Sequence, residues 1–260
     1  MIFGNSMNRL KVITEIREKL KNGKVSIGSW MQIPHGSIAE ILGHAGYDWV
    51  VVDLEHGSIS TNQLPDLFRA VESYGTLPLV RLSQAHPKDC KQSLDAGAGG
   101  VIVPMLENAE QLIAIIDQCA WPPTGQRGVG FSRANLFGKY FEHYKNEAQS
   151  PFVVAQIENI RAVEELEKIF KVPGLDAILI GPYDLSASMG LTGQFEVPEY
   201  INVLTKIKKL SQKFNIPLGI HVIQPDSSEL RARISEGYQF IAYSIDSVFL
   251  YRGAECPNLK

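Results

Sequence analysis

The chain has 260 residues, 45% of them hydrophobic and 20% charged, with a formal net charge of -3. That balance supports a large core without covalent staples and gives no sign of a basic surface for nucleic acid or acidic lipid.

The first short β-branched run is 25–32 (VSIGSWMQ), followed by a helical pattern near 37–45. A second strand, 49–55 (WVVVDLE), leads to a helix over 62–74, with Thr61 before it and Pro65 in its first turn. Strand 78–82 (PLVRL) precedes a helix at 87–96, and strand 100–105 (GVIVPM) precedes one at 107–118. The stretch 121–150 then departs from the rhythm: Pro-Pro and repeated Gly break it early, and 135–146 reads as helix. Strand 152–158 (FVVAQIE), helix 160–170, strand 177–182 (AILIGP) and helix 198–213 follow. Strand 217–222 (PLGIHV), a helix at 226–236 opened by Pro225-Asp226, and strand 240–246 (FIAYSID) complete the series.

Strands alternating with helices imply a parallel sheet with right-handed crossovers. Near-continuous apolar strands suit a sheet buried on both faces. Eight such units in 260 residues fit a single α/β domain, a closed (β/α)8 TIM barrel; a doubly wound open sheet is the rival. Cys90, Cys119 and Cys256 are scattered and form no CxxC, which fits a reducing, cytoplasmic setting. The N-terminal MIFGNSMNRLKV lacks the apolar run of an export signal. No stretch reaches the roughly 18 apolar residues of a membrane span. Neither a nucleic-acid partner nor a membrane is therefore expected.

A barrel places its chemistry at the C-terminal strand ends. Those ends are polar here: Asp53-Leu54-Glu55-His56, Arg81, Gln156-Ile157-Glu158, Gly181-Pro182-Tyr183-Asp184, His221 and Asp246. Polar groups on core strands are costly unless paired or metal-bound. Glu158 and Asp184 close neighbouring strands and suit a hard divalent ion; alternatively one is in a salt bridge and the other caps a helix. His56 can act as a general base or be structural. Arg81 can grip a carboxylate or enolate, or simply pair with a nearby acid. No lysine sits late in a strand, so an aldol reaction here would need a metal rather than a Schiff base as electron sink. Dinucleotide, P-loop, GxSxG and HExxH motifs are absent.

The sequence resembles the metal-dependent pyruvate aldolases of the HpcH/HpaI hydroxy-oxo-acid family. The carrying pieces are GYDWVVVDLEHG (46–57), LVRLS (79–83), LDAGAGGVIVPMLENAE (94–110), WPPTGQRGVG (121–130), VVAQIEN (153–159) and GPYDLSASMG (181–190), in family order. The resemblance implies a divalent cofactor (Mg, Mn or Co) on Glu158 and Asp184, and an enolate stabilised by Arg81. His56 resembles the catalytic base, with Asp95 as its dyad partner. Gln156 resembles a neighbour of the metal that helps hold pyruvate, and Asp53 a pocket acid. Trp30 matches an aromatic of the pocket wall. Gly181 and Pro182 begin a turn similar to one whose amides bind the pyruvate carboxylate. Tyr183 stands where members of the family often carry Ala or Ser, a departure that bears on substrate choice. The implied reaction is cleavage of a 4-hydroxy-2-oxo acid to pyruvate and an aldehyde, or the reverse. The implied assembly is a homohexamer, with the segment 247–260 docking on a neighbour through Phe249, Leu250 and Tyr251. The rivals are a citramalyl- or malyl-type CoA-ester lyase and a non-catalytic binding protein on the same barrel.

Overall fold

The computed structural model describes residues 8–256. In chain order it runs α1 (Arg9–Lys21), β1 (Ser26–Met31), α2 (Gly36–His44), β2 (Trp49–Asp53), α3 (Leu64–Glu72), β3 (Leu77–Arg81), α4 (Pro87–Asp95), β4 (Gly100–Val103) and α5 (Ala109–Cys119). A 3-10 turn at Arg133–Asn135 and α6 (Phe141–Ala148) occupy the long excursion. The chain continues through β5 (Phe152–Ile157), α7 (Ile160–Glu164), α8 (Leu166–Ile169), β6 (Ala177–Ile180), α9 (Pro182–Ser188), α10 (Pro198–Phe214), β7 (Leu218–Val222), α11 (Ser227–Ser235), β8 (Phe240–Ile245) and α12 (Asp246–Gly253). All the pairings are parallel, and β8 pairs with β1, so the sheet closes in sequence order into a (β/α)8 barrel. Among the described residues no helix is long and apolar enough to cross a membrane.

Side chains alternate across the strands. One set, including Val50, Val52, Val80, Ile178, Ile180, Ile220 and Val222, points outward into the layer shared with the helices. The other fills the barrel: Trp30, Trp49, Val51, Leu77, Leu79, Phe152, Val154, Ala177, Leu179, Phe240 and Ala242. Trp49 and Phe240 stack with ring centroids 4.2 Å apart. Gly28 leaves the room for that stack, since a Cβ there would lie 2.1 Å from the Trp49 ring. The Trp49 indole N–H donates to Ser26 Oγ at 3.1 Å, so its polar atom is satisfied inside the core.

The pattern near 9–21 was not among the expected helices, yet α1 is a full helix. Asn8 caps it by accepting from the Lys11 N–H. Ile13, Ile16 and Leu20 lie on one face and join the barrel interior, so α1 plugs the end where the strands begin. Each such burial contributes about 1.5–3 kcal/mol. Arg17 locks the plug, donating from Nε and Nη2 to the two oxygens of Asp176 at 2.7 and 3.0 Å.

Other expectations shift locally. The helix expected over 160–170 divides into α7 and α8, and helix starts later than expected in the excursion, at Phe141. Strand six stops at Ile180, because Pro182 opens α9. The final residues form α12, in which Phe249 packs on Tyr243 while Leu250 and Tyr251 are exposed; residues 257–260 of the expected docking segment lie outside the described residues.

Candidate active site

The inward set continues to the C-terminal end of the barrel and changes character there. Two residues beyond Val51 comes Asp53, beyond Leu79 Arg81, beyond Val154 Gln156, beyond Leu179 Gly181, and beyond Gly219 His221. The uppermost inward layer is therefore polar on four strands and bare at Gly181 on a fifth, above a dry apolar floor.

Asp53 and Arg81 are cross-strand partners in register. Arg81 donates from Nε to Asp53 Oδ1 at 2.9 Å and from Nη2 to Oδ2 at 2.5 Å, while Nη1 lies 3.0 Å from Glu55 Oε2. Asp53 also accepts from Gln32 Nε2 and from the N–H groups of Glu55 and His56. Burial by itself would raise Asp53, but the guanidinium and these donors more than reverse it and hold the carboxyl down at about 2. The Arg81 guanidinium lies 5.1 Å above the Trp30 ring. Trp30 is only 2% exposed and is thus floor beneath Arg81 rather than open wall.

Glu158 is buried one residue beyond β5. Its Oε1 accepts from the Met105 N–H at 2.6 Å and its Oε2 from Gln156 Nε2. Met105 holds that amide in place with a φ of 48°, a left-handed conformation uncommon outside glycine. Burial, then the negative charges of Glu55 and Asp184, raise the Glu158 carboxyl to about 7, against the pull of the Met105 amide.

Asp184 lies on the neighbouring element, in the first turn of α9, and is exposed. The N-cap position belongs to Gly181, so Asp184 does not cap the helix. The Gly181 N–H donates to Ile157 O, and Pro182 has no N–H. Among the described residues, Tyr183 and Asp184 are the first-turn positions of α9 whose amides have no intrahelical acceptor.

Three observations bear on a cation. Burial and like charge crowd Glu158, Asp184 and Glu55 together, which a divalent ion would relieve. Gln156 Oε1 is buried without a hydrogen-bond partner among the described residues. Gly181 keeps the space open, since a Cβ there would come within 2.4 Å of Glu158 Oε2. Among the described residues no group of three or more His, Cys, Asp or Glu is arranged as a ligand set, so an ion here would rest on two carboxylates. The donor set fits Mg²⁺ or a similar hard ion that keeps positions for water and substrate.

His56 follows β2 in an exposed loop on the same rim. Asp95 does not join it. It is the last residue of α4, at the opposite end of the barrel, and meets Arg127 at 3.4 Å. A helix returning from β3 must end where β4 begins, so one chain cannot bring Asp95 to His56. Tyr183 is 56% exposed and rests edge-on against Phe195, which in turn packs on Tyr200. Its ring therefore leans toward the outer layer.

Gln32 and Met105 belong to this site but were not expected there, while Glu55 and His221 were expected only as polar strand-end residues without a role. Parity was the available signal: Gln32, Glu55 and His221 each stand two positions beyond an inward residue. Asp246 anchors Gln32 from behind, accepting from the Gln32 and Ile33 N–H groups at 2.8–3.1 Å.

Fold and rim together define a (β/α)8 barrel enzyme with a carboxylate-rich site built around one buried arginine. The family model described as HpcH/HpaI aldolase/citrate lyase matches residues 26–252. The chain belongs to that family and is a carbon–carbon lyase. It is 33% identical over 241 residues to a hydroxypyruvate/pyruvate aldolase of Roseobacter denitrificans, covering 92% of this chain and 93% of the relative. It is 34% identical to a 4-hydroxy-2-oxovalerate aldolase of Novosphingobium aromaticivorans, covering 93% and 92%. A crystal structure of a family protein from Burkholderia cenocepacia superposes with a TM-score of 0.85 at 30% identity, covering 92% of this chain and 95% of that one.

Proposed function

We propose that this chain is a divalent-metal-dependent aldolase that cleaves a 4-hydroxy-2-oxo acid into pyruvate and an aldehyde, or runs the reverse condensation. The observation that carries the reading is the juxtaposition of buried Glu158 and exposed Asp184 with the Arg81–Asp53 pair on one rim. The relatives named as aldolases of such acids support it.

Glu158 and Asp184 would hold the ion, with Gln156 beside them. A bound Mg²⁺, Mn²⁺ or Co²⁺ supplies Lewis acidity toward the 2-oxo acid. The amides of Tyr183 and Asp184 are available to the substrate carboxylate. Arg81, fixed by Asp53 and Gln32, directs a permanent positive charge at the oxygen that gains charge as the enolate forms. His56, open to solvent, takes the C4 hydroxyl proton in cleavage and returns it in condensation. The bond between C3 and C4 breaks, its electron pair remaining on the pyruvate fragment as enolate, and the aldehyde leaves. Asp95 can assist His56 only from a second copy of the chain, and the exposed Phe131, Phe137, Leu250 and Tyr251 support a homo-oligomer, proposed as a hexamer. We place the enzyme in the cytoplasm, acting on small molecules.

Pyruvate release from a 4-hydroxy-2-oxo acid should stop in a chelator and return with Mn²⁺, Co²⁺ or Mg²⁺. Full activity in the chelator refutes the metal, and absence of pyruvate under all conditions refutes the reaction.

A further inference from the structure

Asp246 is the first residue after β8 and is almost sealed from solvent. Its carboxylate is held by backbone N–H groups. Oδ1 accepts from Ser247 at 2.7 Å and from Gln32 at 3.0 Å, and Oδ2 accepts from Ile33 at 2.8 Å and from Gln32 at 3.1 Å. Only the first of these donors belongs to its own helix. The other two stand just beyond the end of β1, on the far side of the seam that closes the barrel. There the β1–β8 ladder shifts register between Gly28 and Trp30, and its last pair is Trp30 with Ile245. The ladder has therefore ended by Gln32, and the carboxylate takes the place of strand carbonyls as acceptor. On its other side, the β1–β2 register that pairs Met31 with Val52 brings Gln32 beside Asp53. Gln32 Nε2 donates to Asp53 Oδ2 at 3.0 Å, the oxygen that also accepts from Arg81 Nη2. Gln32 is thus a neutral link between two buried carboxylates, tied by its backbone to Asp246 and by its side chain to Asp53.

We propose that Asp246 is a positioning residue for the enolate step: it fixes Gln32 across the seam, Gln32 fixes the plane of Asp53, and Asp53 aims Arg81. The proposal rests on the aldolase reading above, in which Arg81 meets the oxygen that gains charge. Arg81 binds both oxygens of Asp53 at once, so a rotation of that carboxylate turns the guanidinium with it. Oδ1 is held by the N–H groups of Glu55 and His56, in the loop that follows β2. Oδ2 has Gln32 as its restraint besides Arg81 itself. The place of Gln32 therefore sets the tilt of the pair. An acid in the first turn of a helix can serve the helix alone. Here three of the four contacts of Asp246 go instead to the loop after β1.

The test measures pyruvate formation at saturating Mn²⁺ from a 4-hydroxy-2-oxo acid and from oxaloacetate, since both pass through the enolate. Asp246→Asn replaces one acceptor oxygen by an NH2 group that opposes the N–H groups of the loop. We expect kcat to fall by about 10–100-fold for both substrates, the effect of a small misplacement transmitted from a distance, with KM and Mn²⁺ affinity unchanged. Gln32→Leu, which keeps the backbone contact and loses the donor, should give the same fall. In the double variant the two losses should not multiply, because both act through one contact on Asp53. Circular dichroism establishes that each variant is folded under the assay conditions. Losses that multiply overturn the proposal. So does a folded Asp246→Asn or Gln32→Leu with unchanged kcat, or one that raises KM alone, which would leave Asp246 as an anchor of its loop and of α12. If Asp246→Asn fails to fold, Gln32→Leu decides, since every path from Asp246 to Arg81 in the proposal runs through that side chain. Wild-type protein that releases pyruvate from neither substrate counts against the aldolase reading itself, and is distinguished by that.

Discussion

Arg81 and Asp53 face each other in register on β3 and β2, and two parallel hydrogen bonds join guanidinium to carboxylate where both are almost sealed from solvent. Such a pair is costly to halve, because the surviving charge stays buried. Asp53→Ala should lower unfolding free energy by about 3–5 kcal/mol in urea titration. It should also lower kcat, since Arg81 loses its aim. A change below 1 kcal/mol would mean that water or Glu55 already compensates Arg81.

The pH dependence of stability has two opposed contributions. Asp53 is held at about 2, below its ordinary 3.8, so its contribution is present above pH 3.8 and lost as pH falls toward 2, amounting to about 2 kcal/mol. Glu158 is raised to about 7 from 4.5, so its contribution is full below pH 4.5 and is lost as pH rises through 7. A cation on Glu158 displaces that proton. Mn²⁺ should therefore raise Tm more at pH 8 than at pH 5.5, and its binding near pH 6 should release protons, measured by calorimetry in two buffers of different ionisation enthalpy.

Gly181 tests the ion site without removing a ligand. In Gly181→Ala the new methyl would meet Glu158 Oε2 at 2.4 Å and Glu158 Cβ at 2.8 Å. The carboxylate must move, and Mn²⁺ affinity should fall by about 10–100-fold, as when groups that orient a metal's ligands are disturbed. Titration followed by electron paramagnetic resonance measures it, with circular dichroism as the control for folding. Unaltered affinity would place the ion elsewhere.

The base and the enolate stabiliser can be separated by a second reaction. Decarboxylation of oxaloacetate reaches the same enolate with no hydroxyl proton to remove. His56→Ala should cut aldol cleavage by about 10²–10⁴-fold and spare decarboxylation. Arg81→Ala should damage both. Parallel losses in His56→Ala would remove the base assignment.

The plug at the far end should matter to stability and not to chemistry. Ile16 is 2% exposed within the barrel interior. Ile16→Ala should cost about 2–5 kcal/mol by the lost burial and the cavity left behind. KM for the 2-oxo acid should stay within experimental error, because the polar layer lies at the other end of the strands.

Strand periodicity, turn residues and helix caps are local, so the sequence alone determined the eight units and their order; it left an open sheet as the rival, and the pairing of β8 with β1 decided for the barrel. Runs such as WVVVDLE and FVVAQIE end within two residues of the observed β2 and β5. The polar strand ends were legible for the same reason: Asp53, Arg81, Gln156 and Glu158 interrupt apolar runs where burial makes them costly. Tertiary structure decided which of them meet. Barrel closure set the stagger that puts Asp53 opposite Arg81 and turns His221 toward Trp30 across the seam where β8 joins β1. It also made α1 a plug and carried Asp95 to the end away from His56. A helix pattern shows that one face is apolar, not what that face covers. A motif shows that two residues recur together, but the path of the chain between them settles whether they share an end of the barrel.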